Sequence, residues 1–165
     1  MGDWALRQQF HTVVTCRDIG ESVAFYELLG FEILSDHRDV EWPDSLAELL
    51  GLKRAKGRGV LMGLPSDPGG PMLDLVEWVE PKAVFSNPGE EVQGGMRRTI
   101  AFHTRGVQAA FEALSAKGVR FTCSPKPQPE AGVIAVAFCY DPSGNFVELI
   151  ELDPGLLHPR VRALS

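Results

Sequence analysis

The stretch from Asp141 to Glu151, DPSGNFVELIE, combines a turn with a strand. Its Asp-Pro-Ser-Gly part is typical of a β-turn, because Asp bonds its own backbone, Pro presets φ and Gly accepts an unusual dihedral angle. In the strand that follows, period-two alternation places Glu148 on the same face as Phe146 and Ile150. A carboxylate buried among apolar residues needs a hydrogen bond, a cation or a metal ion. Glu148 is therefore the first candidate site residue.

Composition limits the classes of partner. The chain has 165 residues and a net charge of -6, which argues against nucleic acid or an anionic membrane as the main partner. No apolar run approaches the ~20 residues of a membrane span, and the N-terminus lacks the pattern of a signal peptide. The three cysteines are widely spaced, which fits reduced core thiols. We expect a cytoplasmic protein that binds a small molecule.

The first half of the chain shows a regular order of elements. Apolar periodicity and turn residues predict a strand at 10–16, a helix from 18 to 30, a strand at 31–36, a short helix at 43–50, a strand ending near 62 and a strand at 72–78. His11 lies near the start of the first strand. Asp74 is a second carboxylate on an apolar strand and shares a face with Trp78.

The second half repeats this order after a linker rich in proline and glycine. The repeat predicts a first module at 10–80, a linker at 81–96, a second module at 97–152 and a C-terminal tail at 153–165. Within the second module we expect strands at 98–103, 119–123, 133–140 and 146–152, a helix from 107 to 118 and a proline-containing loop at 125–129. Asp74 then corresponds to Glu148, and His11 corresponds to Thr99. Each half is therefore predicted to have the element order β-α-β-β-β.

Several motifs together resemble a known family. HTVVTCRDIGESVAFYELLGF, the closing LDL and VEL strands and DPSGNFVEL resemble the vicinal oxygen chelate superfamily, which includes glyoxalases, methylmalonyl-CoA epimerases, extradiol dioxygenases and bleomycin-binding proteins. The resemblance covers roughly residues 10–152. It implies an α+β fold in which two βαβββ modules form a cupped mixed β-sheet.

The resemblance also implies a metal site on the first and last strands of the modules. Its ligands in this chain are His11, Asp74 and Glu148, while Thr99 stands where a histidine is usual and Asp74 is shorter than the usual Glu or Gln. One imidazole and two carboxylates suit Zn, Ni, Co, Mn or Fe. An open coordination shell would let a divalent ion polarise a substrate carbonyl.

Two residues are candidates for catalysis, namely Glu148 and His103. His103 lies four residues after Thr99 on the same strand face, about 13 Å along the strand, so it does not replace the missing ligand. It is a candidate general base or substrate contact, or else a hydrogen-bonded histidine at a strand end.

The predicted substrate contacts are Thr99, Trp78, Phe102 and Arg98. Thr99 would be a weak neutral ligand. Trp78 and Phe102 either line an apolar pocket or belong to the core, and Arg98 suggests an anionic group at the rim. His37 is placed in a loop and receives no role.

Two functions from different classes remain open. The first is a metal-dependent lyase, isomerase or epimerase acting on a small oxygen-rich substrate. The alternative is a metal-free binding or sequestering protein of the bleomycin-resistance type, in which His11 bonds a carboxylate inside an apolar cup. In either case the resemblance implies a homodimer.

Overall fold

The computed structural model of the protein describes residues 5–85 and 99–155. The chain divides into two compact units between Val84 and Phe85. Each unit is described by itself.

Unit 1 contains four strands and two helices. They are β1 (His11–Cys16), α1 (Ile19–Leu28), β2 (Glu32–His37), α2 (Asp44–Leu49), β3 (Lys56–Gly63) and β4 (Met72–Glu80). The strand order in the sheet is β1-β4-β3-β2. The β1–β4 pair is parallel and the other two pairs are antiparallel, so the sheet is mixed.

Unit 2 repeats this arrangement without an equivalent of α2. Its elements are β5 (Thr99–His103), α3 (Val107–Ala116), β6 (Lys126–Gln128), a 3-10 turn (Pro129–Ala131), β7 (Val133–Tyr140) and β8 (Phe146–Leu152). The strand order is β5-β8-β7-β6, with β5 and β8 parallel. The predicted α+β fold of two β-α-β-β-β modules is confirmed.

The helices cover one side of each sheet, and the core lies there. Helix α1 packs on β3 and β4, and α3 packs on β7 and β8. The largest fully buried side chains of the described residues include Tyr26, Met62 and Leu75 in unit 1 and Val107 and Val147 in unit 2. Because strand side chains alternate, the neighbouring residues of β4 and β8 point to the opposite face.

A glutamate three residues after each candidate site carboxylate caps a helix. The Glu77 side chain accepts a hydrogen bond of 3.0 Å from the Ile19 backbone N–H at the start of α1. The Glu151 side chain accepts one of 3.1 Å from the Val107 N–H at the start of α3. We call Glu77 and Glu151 the capping glutamates. Each carboxylate satisfies a backbone N–H that has no partner within its helix and places negative charge at the positive end of the helix dipole.

The predicted turn after β7 is organised around a buried carboxylate. Asp141 is 4 % exposed. Its Oδ1 accepts hydrogen bonds from the backbone N–H groups of Ser143 and Asn145, at 2.9 and 2.8 Å, and its Oδ2 accepts one from the Asn145 side chain at 2.7 Å. Gly144 has a φ of +87°, which explains the glycine.

One predicted strand in the second half is wrong. Residues 119–123 form only an isolated bridge between Phe121 and Cys139, and the strand of this region is β6, inside the predicted loop. Pro127 lacks a backbone N–H but lies on the edge strand β6, where no neighbour needs that donor.

The strand β2 extends one residue further than predicted and includes His37, which the sequence analysis placed in a loop. Arg98 and most of the predicted linker lie outside the described residues. In the part of the chain that the structure describes, no helix is long and apolar enough to cross a membrane.

Candidate functional site

The parallel pairing of β1 with β4 brings His11 and Asp74 together. Val13 pairs with Asp74, and His11 pairs with Met72, so His11 and Asp74 lie on the same face, opposite to α1. His11 Nε2 lies 4.0 Å from Asp74 Oδ2, and the two side chains are 34% and 30% exposed. Two of the three predicted metal ligands are thus neighbours on an accessible sheet face.

The surroundings of Asp74 change its acidity. Burial raises the pKa of Asp74 above its usual value, while the charges of His11 and then His37 act in the opposite direction. The net shift is upward, because partial removal of water disfavours the carboxylate more than the two imidazoles favour it.

His37 is a site residue that the sequence analysis missed. It pairs with Gly59 of β3, and Gly59 pairs with Val76 of β4, so His37 shares the face of Asp74. Its Nε2 lies 2.6 Å from Ser35 Oγ. The signal for this residue was a continuation of the period-two pattern from Ser35 to His37, which the polar sequence around Asp36 obscured.

A pair of tryptophans lies further along the same face. Trp78 of β4 pairs with Gly57 of β3. The ring of Trp42 meets the Trp78 ring edge to face, with centroids 5.2 Å apart and planes at 88°. Both residues are half-buried, so part of each ring is exposed. We call Trp42 and Trp78 the tryptophan pair.

Unit 2 places Glu148 in the position that Asp74 has in unit 1. Ala101 pairs with Glu148, and Thr99 lies two residues before Ala101, as His11 lies two residues before Val13. The predicted correspondences of Asp74 with Glu148 and of His11 with Thr99 therefore agree with the register.

The face around Glu148 is aromatic. Phe138 is its partner on β7, and the Phe138 ring stacks on Phe146 with centroids 5.0 Å apart. Burial among these groups raises the pKa of Glu148, because a less polar environment disfavours the ionised form.

The remaining predicted contacts of unit 2 fall on different faces. His103 pairs with Ile150, so it shares the face of Thr99 and Glu148 and is exposed. Phe102 pairs with the buried Leu149 and lies on the opposite face. The register therefore separates Phe102 from the Glu148 face and favours its alternative role in packing.

A complete metal site is not formed by the described residues. No group of three or more His, Cys, Asp or Glu side chains able to hold a metal ion occurs within residues 5–85 and 99–155. The donor chemistry of His11 and Asp74 nevertheless fits a divalent ion. Two donors that bind one ion at about 2.1 Å each lie about 3 to 3.5 Å apart, and the observed separation is 4.0 Å. A small side-chain rotation closes this difference.

A separate cleft of unit 1 lies at one edge of this face. It is lined by apolar residues that include Leu34, Pro65 and Met72, together with the carboxylates of Glu32 and Asp67. Met72 is the register partner of His11. The cleft borders the His11–Asp74 pair but contains neither residue.

The raised pKa of Glu148 predicts a pH-dependent effect of Glu148→Gln on stability. A carboxyl whose pKa is raised in the folded state contributes most to stability below its ordinary value of 4.5, and this contribution is lost as pH rises through the raised pKa. Glutamine does not ionise. We therefore expect the variant to gain stability relative to the unmodified chain between pH 4 and pH 8, measured by urea unfolding.

Glu48→Gln, on the exposed surface of α2, is the control for loss of one negative charge. An equal gain in stability in both variants would contradict the prediction.

Comparison with known proteins identifies the family. The model of the Glyoxalase/Bleomycin resistance protein/Dioxygenase superfamily matches residues 8–149. The chain belongs to this superfamily. The superfamily predicted from the sequence is thereby confirmed. A search of curated proteins gives no significant match.

Solved structures of the superfamily share the fold. A glyoxalase family protein from Bacillus cereus superposes with a TM-score of 0.76 at 15% identity, covering 92% of this chain and 98% of that chain. A glyoxalase I mutant from Zea mays gives a TM-score of 0.60 at 21% identity, covering 87% of this chain and 44% of that one. TnmS3, an antibiotic binding protein from Streptomyces sp. CB03234, gives 0.62 at 23% identity, covering 90% and 98%. Proteins with this fold thus include a glyoxalase I and an antibiotic binding protein, and fold alone does not choose between their functions.

Proposed function

We propose that this superfamily member is a metal-dependent enzyme of the lyase, isomerase or epimerase type that acts on a small oxygen-rich organic molecule. The observation that carries the proposal is the contact of His11 Nε2 with Asp74 Oδ2 at 4.0 Å. An imidazole nitrogen and a carboxylate oxygen on one accessible face provide two adjacent ligands for a borderline divalent ion. The role of Glu148 as a ligand stays a prediction from the sequence.

His11 and Asp74 would hold the ion, and they are suited to this by their positions on paired strands. Strand residues keep their side chains within narrow limits, which a metal site requires. When bound, a divalent ion supplies Lewis-acid polarisation of a substrate oxygen. His37 lies close enough to Asp74 to influence its pKa and would orient the carboxylate or the substrate.

Glu148 is the candidate acid or base. Its pKa is raised by burial, and a carboxylate with a raised pKa is a better base near neutral pH than an ordinary glutamate. In isomerase, epimerase and lyase chemistry next to a carbonyl group, Glu148 would accept a proton from substrate carbon at a carboxylate oxygen. It would then return the proton to the same or a neighbouring atom.

A second candidate function is metal-free binding of a small molecule. It is favoured by Thr99, which gives unit 2 a hydroxyl group at the register position where unit 1 has His11. It is also consistent with the direct approach of His11 Nε2 to Asp74 Oδ2 at 4.0 Å, since two side chains that meet in this way need no metal ion between them.

Removal of metal distinguishes the two functions. Protein purified without chelator is expected to contain close to one divalent ion per chain by elemental analysis, and treatment with EDTA is expected to abolish turnover in a screen of enolisable carbonyl compounds. Adding Zn, Ni or Mn back should restore turnover. Folded protein that contains no metal and keeps its ligand affinity after chelation would contradict the enzyme proposal and support the binding protein. The expected homodimer is tested separately by light scattering.

A further inference from the structure

The face of unit 1 that carries His11 and Asp74 changes from polar to aromatic along its strands. Asp74 and Trp78 are four residues apart on β4, about 13 Å along the strand. Val76 of β4 and its partner Gly59 of β3 lie between the two ends, and Leu61 lies beside Asp74 on the same face. The face is therefore polar at one end and aromatic at the other, over a length that matches a small organic molecule.

The aromatic end of this face depends on a glycine of β3. Strand β2 ends at His37, which pairs with Gly59, so Gly57 has no partner on β2. The Trp42 ring lies over Gly57, where a side chain would otherwise project from the sheet. A Cβ atom on Gly57 would lie 2.5 Å from the Trp42 ring and 2.8 Å from the Glu77 carbonyl oxygen. Glycine inside a strand weakens it and marks a close approach of another group, and here that group is an aromatic ring.

The tryptophan pair offers a surface that favours planar groups. Aromatic rings interact best edge to face or offset-stacked, and the perpendicular pair presents one ring face and one ring edge. Because both rings are half-buried, their outer parts remain accessible to a ligand. Gly57 and Gly59 of β3, the register partners of Trp78 and Val76, add no side chain that would compete with it.

We propose that the tryptophan pair is a specificity subsite that receives a planar aromatic ring system of a ligand whose oxygen-bearing end lies at His11 and Asp74. The inference rests on the proposed function, which places the oxygen-bearing end of the ligand at His11 and Asp74. It adds the chemical class of that ligand. The ligand is an aromatic carbonyl compound with about two fused rings, since the rings, the carbonyl group and the contact distances at both ends together match the separation of about 13 Å between Asp74 and Trp78.

Affinity for two amides of the same size tests the subsite. Naphthalene-2-carboxamide is planar, and its decahydro analogue has the same skeleton without aromatic rings. We expect the unmodified chain to bind the planar amide at least about ten-fold more tightly by isothermal titration, and Trp42→Leu and Trp78→Leu to reduce that preference to about two-fold or less, because one ring contact is lost in each. Phe31→Leu is the matched control. It removes one ring of another edge-to-face pair of unit 1, with Tyr26, inside the core, and should keep the preference.

The outcomes separate the subsite from the metal proposal. The titrations are made with chelator-treated and with zinc-loaded protein, and metal content is measured independently. A preference that depends on the tryptophan pair in both states supports the subsite, even if the protein binds no metal. Equal affinity of the unmodified chain for the two amides, no binding of either at millimolar concentration, or the same preference in both tryptophan variants would overturn it. Circular dichroism shows whether each variant is folded, and a folded double variant with Phe at both positions should keep most of the preference.

Discussion

Replacing His11 by alanine is expected to lower the metal content from about one ion per chain to less than about a tenth. The His11 imidazole carries the nitrogen that lies 4.0 Å from Asp74 Oδ2, and loss of one of few protein ligands is expected to remove a large part of the metal-binding free energy. The readout is elemental analysis of untagged protein after gel filtration, combined with the turnover assay.

The control removes a histidine from a comparable position. His103→Ala deletes an exposed imidazole of β5 that is not among the predicted ligands, and it should leave the metal content unchanged. Asp74→Asn keeps the size of the side chain but removes its charge, so it should weaken metal binding to a similar extent as His11→Ala. Full metal content in His11→Ala would exclude His11 as a ligand and with it the proposed site.

Replacing Asp141 by alanine is expected to destabilise the chain by about 2 to 4 kcal/mol. The buried carboxylate accepts three hydrogen bonds in the turn before β8, and its removal leaves buried donors without acceptors, each of which costs about 1 to 3 kcal/mol before relaxation. Urea unfolding followed by circular dichroism measures the change.

Asp153→Ala is the matched control for this turn. Asp153 also accepts a hydrogen bond from the backbone two residues later, the Gly155 N–H at 2.7 Å, but it is exposed. Water replaces the lost contact there, so the change should be below about 1 kcal/mol. A similar loss of stability in the two variants would show that burial of Asp141 has little effect on stability.

The fold could be predicted from local sequence patterns because the residues that decide it lie close together in the sequence. The capping side chain of Asp18 accepts from the Glu21 N–H at 2.9 Å, and Gly30 has a φ of +94°, as the spacing predicted for the two ends of α1. The prediction of a strand at 119–123 was wrong because strand pairing depends on a partner strand that is distant in the sequence. Thr122 donates to the Phe138 carbonyl at 2.9 Å, but the prolines that follow interrupt a continuous ladder.

The candidate site was predictable where it lies on long, regular strands. Asp74 and Glu148 stand out as carboxylates in apolar alternation, and the register confirms that they are equivalent. His37 was not assigned, because its position depends on where β2 ends. The contact of Trp42 with Trp78 was not predicted, because it depends on the approach of a connecting segment to Gly57. These are tertiary features that no local pattern in the sequence encodes.

The capping glutamates imply that the two faces of each closing strand have different tasks. Glu77 and Glu151 lie three residues after Asp74 and Glu148 and therefore point to the opposite side, where they fasten α1 and α3 to their sheets. Residues that attach the helix are thus separated from residues that meet a ligand, although both belong to one strand. A module of this kind can therefore carry a different residue at a position that faces the ligand, as unit 2 carries Thr99 where unit 1 carries His11, and keep the same architecture.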